Sequence, residues 1–156
     1  MTFSIIQGGC SCGANRFSIT QPPIVRFYCH CSICQAYNNQ HYSDVAVFLK
    51  ADVIQEKLQD THFKRYRLPP NIQRGKCTRC NHPSIEKGFK DQLVLVPVAN
   101  LEHPEQLEPA TVHVFYDCRV TDVHDDVPKY EGYLKSQTLL SYLVGKGLLK
   151  QLIQKI

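Results

Sequence analysis

Alternating apolar and polar positions dominate the first two thirds of the chain and predict β-strands. Arg16–Thr20 alternates along its length, and Asp44–Leu49 and Thr111–Tyr116 are rich in β-branched and aromatic residues, as half-buried strands are. Leu93–Val96 is apolar throughout and then meets Pro97, which suits a strand leaving a sheet at an edge or bulge. Phe63–Leu68 is a weaker strand, stopped by Pro69–Pro70. Turn residues at Gly8–Gly9, Pro22–Pro23, Pro69–Pro70–Asn71 and Asn81–His82–Pro83 punctuate the chain at short intervals. After Ser136 the period changes. Leu139, Leu140, Leu143 and Val144 fit a helix face, as do Leu148, Leu149, Leu152, Ile153 and Ile156. Gly145 and Gly147 are expected to break or bend this helix into two short pieces. The expected architecture is therefore mainly β: a single domain over residues 1–133 with an amphipathic helical tail over 134–156 packed on it. A dimer contact or a membrane-surface helix are the alternatives for the tail, the latter because Lys146, Lys150 and Lys155 face no acid.

A chain of 156 residues with 43% hydrophobic positions is long enough for one sizeable core and excludes a disordered or collagen-like chain. No apolar run approaches the roughly 20 residues that span a bilayer. The stretch from Met1 to Cys10 has neither a basic leader nor a long apolar run, so the expectation is a cytoplasmic protein with reduced thiols.

The net charge of +4 is unevenly spread: six basic residues and no acid lie between Thr61 and Ile85 (Lys64, Arg65, Arg67, Arg74, Lys76, Arg79). Seven thiolates and two Zn²⁺ would lower the formal charge from +4 to +1. On that reading the basic residues balance anionic metal–thiolate clusters, and no nucleic-acid partner follows from the charge.

Seven of the eight cysteines form three groups: Cys10–Ser11–Cys12 flanked by glycines, Cys29–His30–Cys31–Ser32–Ile33–Cys34, and Cys77–Thr78–Arg79–Cys80. Close pairs suit zinc because a tight turn presents two sulfurs to one ion at about 2.3 Å. Seven divides into four and three. The pairs Cys10/Cys12 and Cys77/Cys80 can clamp one ion as a closed structural site, which leaves Cys29, Cys31 and Cys34 as a three-ligand site of the kind catalytic zinc occupies. The alternative fills the fourth position with His30 or another histidine and gives a second structural zinc. Cys118 stands alone in a strand-like context and reads as a small buried hydrophobe. His113 could face the core or the site, and His41, His62, His82, His103 and His124 have no supporting pattern.

The segments Gly8–Phe17, Tyr28–Gln35 and Arg74–Cys80 resemble, in order, three motifs of the glutathione-dependent formaldehyde-activating enzyme family, which includes centromere protein V-like members. Softer echoes follow at His113–Val114–Phe115 and Val127–Gly132. The resemblance implies a complex multi-sheet β fold around two zinc ions. It assigns Cys10, Cys12, Cys77 and Cys80 to a structural zinc and Cys29, Cys31 and Cys34 to a catalytic one. It also implies S-(hydroxymethyl)glutathione synthase chemistry, a carbon–sulfur lyase activity in reverse, in which a zinc-bound thiolate adds to formaldehyde. The basic Lys64–Arg79 stretch is then a candidate docking surface for the glutathione carboxylates. Asn81 stands where the family commonly has glycine, although asparagine tolerates the same left-handed turn. Phe115 stands where many relatives carry tryptophan.

Three functions compete at this level. The first is a zinc-dependent enzyme joining a small thiol, glutathione above all, to an aldehyde. The second is a zinc-stabilised module binding protein or nucleic acid without catalysis. The third is a redox or zinc sensor in which Cys29, Cys31 and Cys34 oxidise reversibly.

Overall fold

The computed structural model describes residues 2–67 and 72–156. Among these, ten strands form two sheets, accompanied by two α-helices. The chain falls into two compact units: the residues up to Pro23 with Ala46–Glu108, and Ile24–Val45 with Pro109–Ile156. The strand β4 (Ser43–Leu49) begins in the second and ends in the first.

In the first unit, β1 (Ile6–Gly9), β2 (Arg16–Ile19) and β5 (Val53–Lys57) form one antiparallel sheet with β2 in the centre. The strands β6 (Thr61–Arg65), β7 (Gln73–Cys77), β8 (Pro83–Gly88) and β9 (Leu93–Pro97) pair antiparallel in that order. Ile6, Phe17, Ile19, Phe48, Ile85 and Val96 lie at the centre of its core, each fully buried. Such side chains contribute roughly 1.5–3 kcal/mol apiece on leaving water. Strand β9 buries alternate residues, Val94 and Val96, rather than the continuous run that its composition suggests. The strand expected over Phe63–Leu68 runs from Thr61 to Arg65 instead. Its expected end at Leu68 and the turn at Pro69–Pro70–Asn71 lie outside the described residues.

In the second unit, β3 (Val25–Cys29) leads into α1 (Ser32–Asn38), and β10 (His113–Val114) pairs parallel with β3. The strand expected over Thr111–Tyr116 is thus only two residues long. Phe115 takes a left-handed conformation (φ 53°), and a 3-10 turn over Tyr116–Cys118 follows. That turn also corrects the reading of Cys118, which is exposed.

The tail is one helix, α2 (Tyr133–Gln154), unbroken by its glycines. Ser136, fully buried, accepts the Phe115 N–H on its Oγ at 2.8 Å and anchors the first turn. At Gly147 the helix approaches Ile24 so closely that a Cβ would lie 2.3 Å from the Ile24 carbonyl oxygen. Gly147 therefore serves close packing, not a break. At Gly145 a Cβ would meet nothing within 4 Å. Gly145→Ala is expected to stabilise the protein by about 0.5–1 kcal/mol through helix propensity. Gly147→Ala should destabilise it by about 1–3 kcal/mol, because backbone must move. Urea unfolding of both variants checks the opposite signs.

Candidate metal centres

Cys10 and Cys12 occupy the tight turn between β1 and β2. Gly9 admits the turn, since a Cβ there would lie 2.2 Å from the Asn15 carbonyl oxygen, and Gly13 takes φ +76°. The Asn15 N–H donates to Cys10 Sγ at 3.3 Å. Cys77 and Cys80 occupy the turn between β7 and β8, which closes through Asn81 N–H to Cys77 O and Cys77 N–H to His82 O, both 2.9 Å. Asn81 has φ 58°, the left-handed conformation that asparagine tolerates in place of glycine.

The four sulfurs all lie within 4.8 Å of one another. Cys10 Sγ is 3.5 Å from Cys12 Sγ, which is 3.7 Å from Cys77 Sγ. Sulfurs placed about 2.3 Å from a shared tetrahedral ion stand roughly 3.8 Å apart, so this donor set fits zinc. Among the described residues no disulfide joins any of the eight cysteines. Their acidities diverge as crowded thiols should. Burial is the largest influence and pushes Cys10 and Cys80 up, but hydrogen bonds together outweigh it: the Asn15 N–H with the Cys12 and Cys77 thiols lowers Cys10, and the His82 N–H with Ser11 and Cys12 brings Cys80 to about 6. The Ala14 N–H favours the Cys12 thiolate, yet the neighbouring thiols Cys10, Cys80 and Cys77 drive Cys12 to about 12.

The second cluster is built locally. Cys29 ends β3, Cys31 is the N-cap of α1, and Cys34 lies in its first turn. The Cys31 sulfur takes the capping role that Ser or Asp usually fills, accepting the Cys34 N–H at 3.4 Å. Cys29 and Cys31 sulfurs are 3.4 Å apart, and all three lie within 4.8 Å of one another. Hydrogen bonds with Cys31 and Cys34, together with burial, raise the Cys29 thiol well above its usual range. No histidine, carboxylate or further cysteine joins these three within that distance among the described residues. Gln35 clamps the surroundings, donating from Nε2 to the carbonyl oxygens of His30 (2.6 Å) and Cys118 (2.9 Å).

His30, the histidine proposed as a fourth ligand, is instead committed elsewhere. Its Nε2 lies 2.8 Å from His113 Nδ1, and His113 Nε2 lies 2.9 Å from Asp125 Oδ2. Both rings are almost fully buried. Tyr42 stacks on His30 at 4.8 Å and Tyr116 meets it edge-on at 5.0 Å. Burial first, and His113 second, lower the His30 pKa to about 4. Lys129 and His113 hold the Asp125 carboxyl at about 2. An ionised Asp125 only accepts, so His113 donates from Nε2–H. A singly protonated His113 then accepts on Nδ1 from His30 Nε2–H, leaving the lone pair on His30 Nδ1, a buried atom without a hydrogen-bond partner among the described residues.

The sequence pointed to His30 and left His113 open, but offered no pairing between them, since 83 positions separate the two. Asp125 was visible only as part of an acidic stretch. His82 and His103 sit outside both clusters, against Ser11 (3.3 Å) and Glu105 (3.0 Å).

A mainly β chain carrying one four-cysteine and one three-cysteine cluster belongs to the class of proteins able to hold two metal ions. The family model described as glutathione-dependent formaldehyde-activating enzyme matches residues 5–118, and the chain belongs to that family. The crystal structure of a Rhodobacter sphaeroides protein, a structural-genomics target, is similar in fold. Its TM-score is 0.52 at 18% identity, over 67% of this chain and 96% of that one. No curated protein matches the sequence.

The hydrogen-bond order makes a spectroscopic prediction. Long-range ¹⁵N–¹H correlation at neutral pH should show His113 and His30 both protonated at Nε2 and bare at Nδ1. Asp125→Ala should abolish this fixed pattern at His113 while leaving bound metal unchanged. A wild-type His113 protonated at Nδ1 alone would contradict the assignment.

Proposed function

We propose that the protein joins a small thiol, glutathione in the first instance, to an aldehyde such as formaldehyde at the Cys29–Cys31–Cys34 cluster. Cys10, Cys12, Cys77 and Cys80 hold a structural zinc in this reading. The observation that carries it is the difference in donor number: four sulfurs converge in one cluster and three in the other, with no further donor among the described residues. A structural zinc is closed by four protein ligands, whereas a catalytic zinc takes three. Membership of the family supports the choice of thiol and aldehyde.

A zinc bound by the three cysteines supplies positive charge that favours an incoming thiolate over its thiol. The addition balances without an oxidant. The sulfur lone pair forms the C–S bond, the carbonyl π pair moves to oxygen, and that oxygen takes up the proton lost by the thiol. The reverse reaction breaks the C–S bond, as a carbon–sulfur lyase does. The chain's own contribution is position. The N-cap geometry fixes Cys31 relative to Cys34, and the Gln35 clamp fixes the His30 carbonyl between two ligands. The His30 ring stays neutral at physiological pH, and its Nε2 is held against His113.

The basic stretch offers less to a carboxylate than its sequence suggests. Arg74 pairs with Glu86 at 3.2 Å in a buried setting, and Arg79 pairs with Asp60 at 3.1 Å. A reducing compartment such as the cytoplasm suits eight free thiols.

Calorimetry of zinc-loaded protein with glutathione and with S-methylglutathione tests the reading. Binding of glutathione at least about tenfold tighter than its methylated analogue, a difference of about 1.4 kcal/mol, is the expected result. Equal affinities would place recognition on the peptide, and no binding of either would remove glutathione. Metal analysis supplies a second check. Cys34→Ser should reduce the two expected zinc ions per chain to one, whereas Cys118→Ser, outside both clusters, should leave both.

A further inference from the structure

The helix α2 carries an apolar stripe that its own packing does not use. At about 100° per residue, Ser136, Leu143 and Gly147 share one face. That face holds the buried Ser136 and the close approach to Ile24. Leu134, Tyr142, Leu149, Leu152 and Ile153 fall on the opposite side within an arc of about 100°, and Ile156 continues it. Leu134 is 78% exposed, Leu149 59%, Leu152 62% and Ile153 62%. Leu139, Leu140, Leu143, Val144 and Leu148 are partly buried, whereas Leu149, Leu152 and Ile153 are exposed.

The charges around this stripe are of one kind. From Tyr133 to the last residue there are four lysines (Lys135, Lys146, Lys150, Lys155), no arginine and no acid; all four lysines are exposed. At about 100° per residue, Lys135 and Lys146 stand beside the stripe on one side with Lys150 further round, and Lys155 stands off its other edge. The helix lies beyond residues 5–118, the extent of the family match. It is not long and apolar enough to cross a membrane.

We propose that α2 is a docking surface for an anionic lipid bilayer, lying in the interface with Leu149, Leu152, Ile153 and Ile156 inserted and its lysines at the headgroups. Charge complementarity selects this occupant. Four unopposed lysines attract an anionic surface and reach headgroups while their stems cover apolar area, and an exposed tyrosine such as Tyr142 suits the same depth. A second copy of the chain would bring eight like charges together along two helices. A protein partner is the weaker match, because protein interfaces favour arginine and are depleted in lysine. The proposal is independent of the thiol chemistry, since it uses no residue of either cysteine cluster.

The chain has no tryptophan, so Leu149→Trp introduces a single reporter on the exposed face. Full-length zinc-loaded protein is floated with vesicles of phosphatidylcholine alone, or with about 30% phosphatidylserine. The expected result is binding to the anionic vesicles only, with a blue shift of the Leu149→Trp emission. Binding should weaken at least about tenfold in the double variant Leu149→Glu/Leu152→Glu, and should also fall steeply at about 0.5 M salt. Circular dichroism and zinc content confirm that the exposed substitutions leave the fold intact. No binding to anionic vesicles at low salt, equal binding to neutral ones, or undiminished binding of the double variant would each overturn the proposal. So would a dimer in sedimentation equilibrium whose reporter is blue-shifted without vesicles, which would assign the stripe to a second copy.

Discussion

Four sulfurs within 4.8 Å of one another cannot all be thiolates unless a cation sits among them, and in the first unit that constraint falls where two distant turns meet. The cluster joins the turn after β1 to the turn after β7, with Cys12 and Cys77 separated by 65 positions. An ion held there would close that long loop and remove much of the unfolded chain's freedom, so its binding energy would be folding energy. The surrounding hydrogen bonds prepare the same junction. Asn15, fully buried, donates to the Asp60 carbonyl and accepts the Thr61 hydroxyl, linking the first turn to the start of β6. Donors at Asn15, His82 and Ser11 favour the thiolates of Cys10 and Cys80, while the crowding falls on Cys12.

The second unit solves a different problem. Its three sulfurs come from one short stretch, so their convergence needs little long-range assembly: a strand end, an N-cap and one helical turn suffice. What does come from afar is the packing around them. Pairing of β10 with β3 sets His113 opposite Tyr28, and from that register follow the His30–His113 contact and the cage of Tyr28, Tyr42 and Tyr116. A buried imidazole pair is costly unless its nitrogens find partners. Three of the four find them, with Asp125 at the end of the chain of contacts. Arg119, 4.5 Å from the Tyr116 ring centre, and Lys129 on Asp125 tie the same layer to the loop before α2.

Legibility in the sequence followed locality. The ligand groups could be read because each depends on residues two or three apart, and the Asn81 turn because asparagine accommodates its positive φ. The strands β2, β4 and β9 showed their alternation or their β-formers. Strands β7 and β8 did not: Arg74 and Glu86 face one another across the pair and are buried together, so two charges stand where the pattern would need apolar residues. The tail was misread at its glycines for a related reason. Helix propensity penalises Gly147, but only the path of Ile24 beneath it shows why a glycine belongs there. The fate of Thr111–Tyr116 likewise turned on Phe115, a residue whose left-handed backbone no β-propensity anticipates.

The family match ends at residue 118, and the chain continues through a loop and α2. All seven clustered cysteines lie within residues 5–118, so the candidate metal ligands fall inside the family match. Asp125, Lys129, Ser136 and α2 lie beyond it, and through them the later residues reach back: Asp125 onto His113, and Ser136 onto the Phe115 backbone. The segment after residue 118 is therefore tied into the second unit. It fixes the turn that follows β10, completes the polar partners of a buried histidine pair, and leaves its opposite helical face to solvent. Cysteine ligands confine the kind of chemistry a metal centre can offer, whereas the groups around them decide which molecules reach it. In this chain part of that surrounding layer is anchored by residues outside the family match, so the shared motifs do not by themselves fix which small molecules the layer admits.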